Sequence, residues 1–264
     1  MTRKYFESCI IKQSLIRNVN GYVSTIPDNL VEGITTDLFY ADLIQGSGTE
    51  LKSKFNALYS SSALAVNNFS IIKKYLTSFK FLDKTNFKEC AFERKFITGL
   101  GGTPPNLDFI VESNTDLIAF ESKYLEFLNK KEVKFADSYN IKRLNYLNEF
   151  WFQLIENYRG VKLHLDVAQL IKHCIGLINY TKQADNSHKN ITLVYIYWTP
   201  TNADDFVAFK SHLDELVLFT NKLKKQSEIR FESITYQDFW NHYKTDEIYN
   251  DHFEKLNQRY NLKI

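Results

Sequence analysis

The sequence contains few cysteines and no long apolar run. Its three cysteines, Cys9, Cys90 and Cys174, form no CxxC pair and no zinc-ligand spacing, which is typical of ordinary thiols in a reducing compartment. No apolar run approaches the roughly 20 residues that a membrane-spanning helix requires, and the N-terminus lacks the apolar segment of a signal peptide. We therefore expect a soluble, cytoplasmic protein with no membrane partner.

The chain also lacks a strong excess of one charge. It carries 33 Lys and Arg against 31 Asp and Glu, which excludes a uniformly basic protein that coats nucleic acid. A local basic groove stays open, because phosphate contacts need only a few cations. With 44% hydrophobic residues, 21 Phe and 16 Tyr, the sequence can form a large core, so we do not expect disorder.

The sequence has no internal repeat, no low-complexity tract and no linker rich in proline or glycine. This predicts one main domain at 51–264, preceded by an N-terminal helical embellishment at 1–50. Apolar spacing predicts helix over 51–76, with a break at Ser60–Ser62. The aromatic-rich residues at about 125–160 are predicted as a helical insertion.

Three short apolar segments at 91–97, 107–111 and 117–124 are separated by turn signals at 98–105 and 113–116. They predict an antiparallel meander of three strands. The elements predicted after the insertion are a helix at 163–180, a strand at 191–198, a helix at about 204–225, a strand at 230–236 and a polar C-terminal helix. This order is typical of an α/β fold with a mixed central sheet flanked by helices.

Two carboxylates and one ammonium are predicted to meet on this sheet. Glu121 and Lys123 lie two residues apart on the third strand, so their side chains share a face. The hairpin brings Asp108, at the start of the second strand, alongside them. Hydrolysis of a phosphodiester uses such a set: hard oxygen ligands hold Mg²⁺, which activates water and polarises the phosphate, and a lysine offsets developing charge.

These residues resemble the signature of the PD-(D/E)XK nuclease superfamily. The matching strings are Pro105-Asn-Leu-Asp108 and Glu121-Ser-Lys123, within a resemblance that covers residues 50–200. Pro105 stands three residues before Asp108 rather than directly before it, a spacing that many members relax. The resemblance implies a restriction-endonuclease-like fold and a Mg²⁺-dependent DNA endonuclease of a restriction or defence type, with Mn²⁺ as the alternative ion. It gives Asp108 and Glu121 metal-ligand and catalytic roles and gives Lys123 a catalytic role.

Two further elements are similar to the same superfamily. Glu93 lies on the first strand, where some members carry an additional acidic metal ligand. Gln169 and His173 are spaced i, i+4 on one helical face and resemble the Q-h-x-x-Y motif of the exonuclease-type branch, with histidine in place of tyrosine. The resemblance implies that both join the catalytic site.

Other interpretations remain open at this point. Glu121 and Lys123 alone are compatible with a solvated strand face, and Glu93 with a surface ion pair to Arg94 or Lys95. The same fold without catalysis would be a nucleic-acid-binding protein. A glycosidase using Glu93 and Glu121 as paired carboxylates would leave Lys123 without a role. The substrate alternatives are duplex, single-stranded or branched DNA, and RNA, and the sequence is compatible with a homodimer.

Overall fold

A computed structural model describes residues 1–46, 51 and 54–264 of the chain. Within these ranges the helices are α1 (Arg3–Gln13), α2 (Tyr40–Gln45), α3 (Ser61–Lys74), α4 (Glu149–Tyr158), α5 (Val167–Thr181), α6 (Val207–Leu223), α7 (Tyr236–His242) and α8 (Asn250–Tyr260). The strands are β1 (Glu89–Lys95), β2 (Asn106–Glu112), β3 (Asp116–Lys123), β4 (Lys131–Glu132), β5 (Lys162–Leu163), β6 (Asn190–Tyr197) and β7 (Arg230–Thr235). No helix in the described part of the chain is long and apolar enough to cross a bilayer.

The central sheet has five strands in the order β1-β2-β3-β6-β7. Strand β1 is antiparallel to β2, and β2 is antiparallel to β3, as the predicted meander requires. Strands β3, β6 and β7 run parallel, and the connections between them contain α5 and α6. The prediction of an α/β fold with a restriction-endonuclease-like mixed sheet is therefore confirmed. Strands β4 and β5 form a separate two-stranded sheet.

The central strand β3 is covered on both faces, so its side chains alternate between two helical layers. On one face, Phe120 lies 4.9 Å from Phe69 of α3 and 6.2 Å from Phe239 of α7, between ring centroids. On the other face, Glu121 contacts His173 of α5. The near-continuous apolar run Leu117–Phe120 is typical of a strand buried on both sides.

Side-chain caps set where two of the predicted helices begin. The Ser60 hydroxyl accepts a hydrogen bond from the backbone N–H of Ala63 and caps α3, so the predicted break at this serine run is confirmed. Residues 52–53, in the first half of the predicted helix, lie outside the described residues. Among the described residues 54–60 of that half, the only helical element is the 3-10 turn Lys54–Asn56, so the helix predicted there is wrong. The helix predicted from Leu163 starts only at Val167, because the Asp166 carboxylate caps it and Lys162–Leu163 instead form β5.

The predicted helical insertion at 125–160 is wrong over most of its length. Only Glu149–Tyr158 is α-helical, and no α-helix occurs at 124–148. The Asn140 side chain accepts hydrogen bonds from the backbone N–H groups of Lys142 and Arg143. Such local bonds compete with the helical ladder and favour turns. The polar C-terminal segment likewise contains two helices, α7 and α8, instead of the one predicted.

The predicted N-terminal embellishment contains α1 and α2, and it is joined to the main domain by a buried polar network. The Asn67 side chain of α3 donates to the backbone carbonyl of Asn29 and accepts from the N–H of Val31. Arg259 of α8 donates to the same Asn29 carbonyl at 2.9 Å, and Tyr260 lies 3.3 Å from the Asn67 amide. The N-terminal segment that contains Asn29 and Val31 therefore exchanges hydrogen bonds with α3 and α8, and these three parts of the chain satisfy one another's polar groups.

Candidate active site

Three carboxylates form one row across β1, β2 and β3. The residues that face one another in the register of these strands are Phe92, Phe109 and Phe120. Extending this register by one residue places Glu93, Asp108 and Glu121 next to one another, and the charges of Glu121 and Glu93 both act on Asp108. Residues opposite one another on neighbouring strands point to the same face, with Cβ atoms about 5 Å apart. The meander thus gathers three acidic side chains near the C-terminal end of β3.

Glu121 is the buried centre of this row, with 1% of its area exposed. The Lys123 ammonium, on the same face two residues later, forms an ion pair with Oε1. On the other side, Nε2 of His173 lies 2.9 Å from Oε2, although out of line for a hydrogen bond. The structure therefore brings together Asp108, Glu121, Lys123 and His173, four of the predicted site residues.

Asp108 is fixed to the strand that carries the other two groups. Its Oδ2 accepts a hydrogen bond of 2.6 Å from the backbone N–H of Ser122, between Glu121 and Lys123. On the opposite face of the sheet, the Ser122 hydroxyl lies 2.7 Å from the hydroxyl of Tyr236. The carboxylate of Asp108 is thus held by the backbone of Ser122, and the side chain of Ser122 is itself anchored in the core.

The charges in the cluster are unevenly compensated. Burial alone would raise the pKa of Glu121, but Lys123 and His173 hold this pKa at about 2. Burial lowers the pKa of Lys123, but Glu121 and Asp108 raise it above its ordinary value of 10.5. For Asp108, burial and the charge of Glu121 together raise the pKa well above 3.8. The cluster therefore has more negative charge than its one ammonium can balance.

Glu93 is held in an unfavourable backbone conformation. Its φ of 53° lies in the left-handed region, which costs an ordinary residue about 1–2 kcal/mol. The twist reverses the alternation of β1: Phe92 packs on Phe109 towards α3, whereas Arg94 pairs with Glu112 on the α5 face. Such strain is concentrated at functional sites. The charge of the Glu93 carboxylate also raises the pKa of Asp108.

The position of Gln169 is less directly linked to the cluster. It lies one helical turn before His173 on α5, and its backbone N–H donates to the cap residue Asp166. Among the hydrogen bonds of the described residues, none joins the Gln169 side chain to Glu121 or Lys123. Its participation stays a prediction.

The sequence interpretation missed two residues that adjoin the row. Asn106 donates a hydrogen bond of 3.0 Å to Oε2 of Glu93. It lies two residues before Asp108 on β2, so the same-face argument applied to Glu121 and Lys123 would have found it. Tyr195 faces Glu121 from β6, and its hydroxyl lies 2.9 Å from Nε2 of His212. No sequence signal indicates this pairing, because it depends on the parallel register of β3 and β6.

The donor chemistry of the row fits a hard divalent cation. Carboxylate oxygens are the ligands that Mg²⁺ prefers, and Glu93 and Asp108 are only partly buried, so the row is open on one side. In the arrangement of the described residues, no three His, Cys, Asp or Glu side chains are placed to hold a metal ion together. Both oxygens of Glu121 are instead contacted by Lys123 and His173.

Comparison with known proteins gives one match. A family model described as "Restriction Endonuclease associating with ARP" matches residues 17–261. No curated protein and no solved structure matches the chain. The match begins after α1 and extends over the whole central sheet, and it contains the acidic row together with Lys123 and His173.

Proposed function

Because the chain belongs to the family of restriction endonucleases associating with ARP, we propose that it is a metal-dependent nuclease of the PD-(D/E)XK type that hydrolyses phosphodiester bonds of DNA. The observation that carries the proposal is the row of Glu93, Asp108 and Glu121 with Lys123 paired to its buried member. A complete set of acids with a lysine favours catalysis over a nucleic-acid-binding protein that has lost activity.

Asp108 and Glu121, with Glu93 as a third ligand, would hold Mg²⁺ or Mn²⁺, and because these carboxylates do not converge on one point in the described arrangement, the ion would have to draw them together. Bound there, the ion would lower the pKa of an attacking water and polarise the scissile phosphate. Three carboxylates facing one ammonium leave an excess of negative charge, which a divalent cation would offset.

Lys123 would act on the substrate directly. Its side chain is 12% exposed and lies beside Glu121, so its ammonium reaches the open side of the row. There it would orient the attacking water and offset the negative charge that develops on the phosphate. His173 would keep the Glu121 carboxylate in place through their 2.9 Å contact. Gln169, one turn away, would be a positioning residue for the water or for Lys123.

The glycosidase alternative is not supported by the electrostatics of Glu121. Paired catalytic carboxylates require one acid with a raised pKa that can protonate a leaving group. Lys123 and His173 hold the pKa of Glu121 at about 2, against the effect of burial. Glu121 could therefore serve only as the ionised member of such a pair, and the pair would leave Lys123, which contacts Glu121, without a role.

The test is cleavage of supercoiled plasmid by the wild type and by Asp108→Ala. The wild type should nick or linearise the plasmid in Mg²⁺ or Mn²⁺ and leave it intact in EDTA. Asp108→Ala should cut at least about 10³-fold more slowly, since metal activation contributes several kcal/mol to the barrier. Glu89→Ala, which removes an exposed carboxylate from β1, is the matched control and should retain the wild-type rate.

Circular dichroism and a denaturation curve should confirm that both variants are folded at the concentrations compared. Equal cleavage rates for wild type and Asp108→Ala would show that this carboxylate is not a metal ligand, and the proposal would be withdrawn. A wild-type protein that cuts DNA equally well in EDTA would contradict it as well.

A further inference from the structure

The segment at 129–143, between the turn at Glu126–Leu128 and α4, is rich in basic residues. It contains five lysine or arginine side chains against two carboxylates, whereas the whole chain has 33 against 31. We call this segment the basic lobe, and its charged residues are Lys130, Lys131, Glu132, Lys134, Asp137, Lys142 and Arg143. The lobe alone thus accounts for the positive net charge of the chain.

The cations of the lobe are open to solvent and only partly compensated. All five basic residues are exposed. Lys131 pairs with Asp166 at 2.9 Å, and Lys134 pairs with Glu132 at 3.2 Å. Within the part of the chain that the structure describes, the other three cations have no carboxylate partner. A surface with such unbalanced charge attracts an anionic ligand.

The basic lobe lies beside the acidic row, at the same edge of the sheet. The end of β1, the start of β2 and the end of β3 meet at this edge. Lys131 of the lobe contacts Asp166, whose pKa is lowered, against the effect of burial, by the charges of both Lys131 and Lys123. Just after the lobe, the hydroxyl of Tyr146 donates a hydrogen bond of 2.7 Å to the carbonyl of Thr98, in the loop between β1 and β2. A ligand on the lobe therefore lies next to Lys123 and the row.

Contacts with α5 place the lobe on the face of the sheet that carries the row. The Lys172 ammonium of this helix lies over the rings of Phe135 and Tyr139, at 5.7 and 5.8 Å from their centroids. The same helix carries His173, which contacts Glu121. Both rings are used in the contact with α5, and Phe135 is 8% exposed, so they do not form the open stacking surface on which single-strand-binding proteins hold bases. The lobe offers a ligand cations rather than aromatic faces.

The turn that carries Lys142 and Arg143 is fixed by its own hydrogen bonds. Oδ1 of Asn140 accepts hydrogen bonds from the backbone N–H groups of both residues, at 3.0 and 3.2 Å. Nδ2 of Asn140 donates a hydrogen bond of 2.6 Å to the carbonyl of Asp137. Because this backbone is already ordered, binding a ligand to the two cations costs less conformational entropy than it would on a flexible loop.

We propose that the basic lobe binds the phosphate backbone of the DNA beside the scissile bond. Each contact of a lysine or arginine neutralises one phosphate, and the release of counterions makes such binding depend on salt and not on sequence. The position of the lobe next to Lys123 would hold the duplex over the acidic row. This inference rests on the proposed nuclease function, which it extends from the cleavage chemistry to the surface that holds the substrate.

The experiment measures binding separately from cleavage. Two fluorescent duplexes of about 30 base pairs and unrelated sequence are titrated with protein in EDTA, where the proposed nuclease leaves DNA intact, at about 50 to 200 mM salt. Lys142→Gln/Arg143→Gln removes two cations of the lobe and keeps the backbone of the turn, and Lys130→Gln removes one at its other end. Lys224→Gln/Lys225→Gln is the matched control, because both lysines are exposed and lie just before β7, at the opposite edge of the sheet.

For the wild type, the logarithm of the association constant should fall linearly with the logarithm of the salt concentration. Lys142→Gln/Arg143→Gln should bind about 10-fold more weakly at about 100 mM salt, and its slope should be smaller by about 2, one for each cation removed. For Lys130→Gln the slope should be smaller by about 1. Both duplexes should show the same loss, because phosphates are common to all sequences. The control should bind within about twofold of the wild type.

Unchanged affinity in the lobe variants would overturn the proposal. Weaker affinity with an unchanged slope would overturn it too, since the cations would then not neutralise phosphates. A loss confined to one duplex would place the cations at the bases, and an equal loss in the control would show a general effect of net charge; either result would refute the assignment to the backbone.

Plasmid cleavage in Mg²⁺ tests the nuclease function separately. A protein that binds through the lobe but does not cut would refute the nuclease function and leave the lobe as a DNA-binding surface. A protein that cuts, but whose lobe variants bind as the wild type does, would refute the lobe alone. A wild type that binds neither duplex would refute the lobe as well.

Discussion

A methyl group at position 176 should push α5 away from the sheet. Gly176 lies where this helix crosses the chain just after β1, and a Cβ built there would stand 2.6 Å from the backbone oxygen and 3.0 Å from the Cβ of Phe96. Real Cβ atoms do not approach a backbone oxygen so closely, and the carbonyl cannot rotate aside as a flexible side chain would. The replacement Gly176→Ala therefore requires the helix or the strand end to move.

Two opposing contributions determine the size of the effect. Alanine is favoured over glycine inside a helix by about 1 kcal/mol. Overpacking a tight contact costs about 1–3 kcal/mol, and the upper part of this range applies because the obstacle is backbone. We expect Gly176→Ala to lower the free energy of unfolding by about 1–2 kcal/mol. His173, one turn earlier on α5, should shift away from Glu121, so cleavage should also slow.

The measurement is urea denaturation at neutral pH, with the midpoint and the slope both fitted. Gly101→Ala is the control, because a Cβ there would meet nothing within 4 Å; it should change stability by less than about 0.5 kcal/mol. If Gly176→Ala were as stable as the wild type or more so, helix propensity would outweigh the contact. The close approach of α5 to Phe96 would then be refuted.

Two further predictions concern acid stability. The pKa of Glu112 is lowered despite burial, by hydrogen bonds from Tyr180, Lys189 and Arg94; the stabilisation is present above pH 4.5 and is lost as the pH falls through the lowered pKa. Glu112→Gln should cost about 3 kcal/mol at pH 7 and progressively less as the pH falls below 4.5, by urea denaturation; a difference that does not change with pH would contradict this. Burial lowers the pKa of His212 to about 3, so the unfolded chain binds a proton that the native protein does not, and stability should fall progressively from pH 6.5 towards pH 3. His212→Gln should flatten this dependence; an unchanged slope would show that other groups cause it.

The strands and the acidic cluster were predictable because their signals are local. The turn at Ser113–Asp116 fixes the hairpin, and the two-residue spacing of Glu121 and Lys123 fixes their common face. The apolar periodicity of α5 identified the helix that carries His173, although its capped start was misplaced by four residues, from Leu163 to Val167.

The missed features depend on contacts between distant parts of the chain. The left-handed conformation of Glu93 and the need for glycine at position 176 arise only when β1 packs against its neighbours. The pairing of Tyr195 with Glu121 follows from strand order. The segment around Asn140 is predicted to be helical, but the hydrogen bonds of its side chain to the backbone favour turns instead.

The buried network of Asn67, Asn29, Arg259 and Tyr260 also has a consequence for folding during synthesis, because its members lie at opposite ends of the chain. Asn67 and Tyr260 are separated by 193 positions, which a ribosome adding about 5–20 residues per second covers in roughly 10–40 s. For that time the nascent α3 exists without α8, and the amide of Asn67 and the carbonyl of Asn29 lack Tyr260 and Arg259. The strands of the acidic row lie in the first half of the chain, so they are translated well before α8. A translation product that ends before Arg259 should therefore remain open and be a substrate for chaperones and proteases.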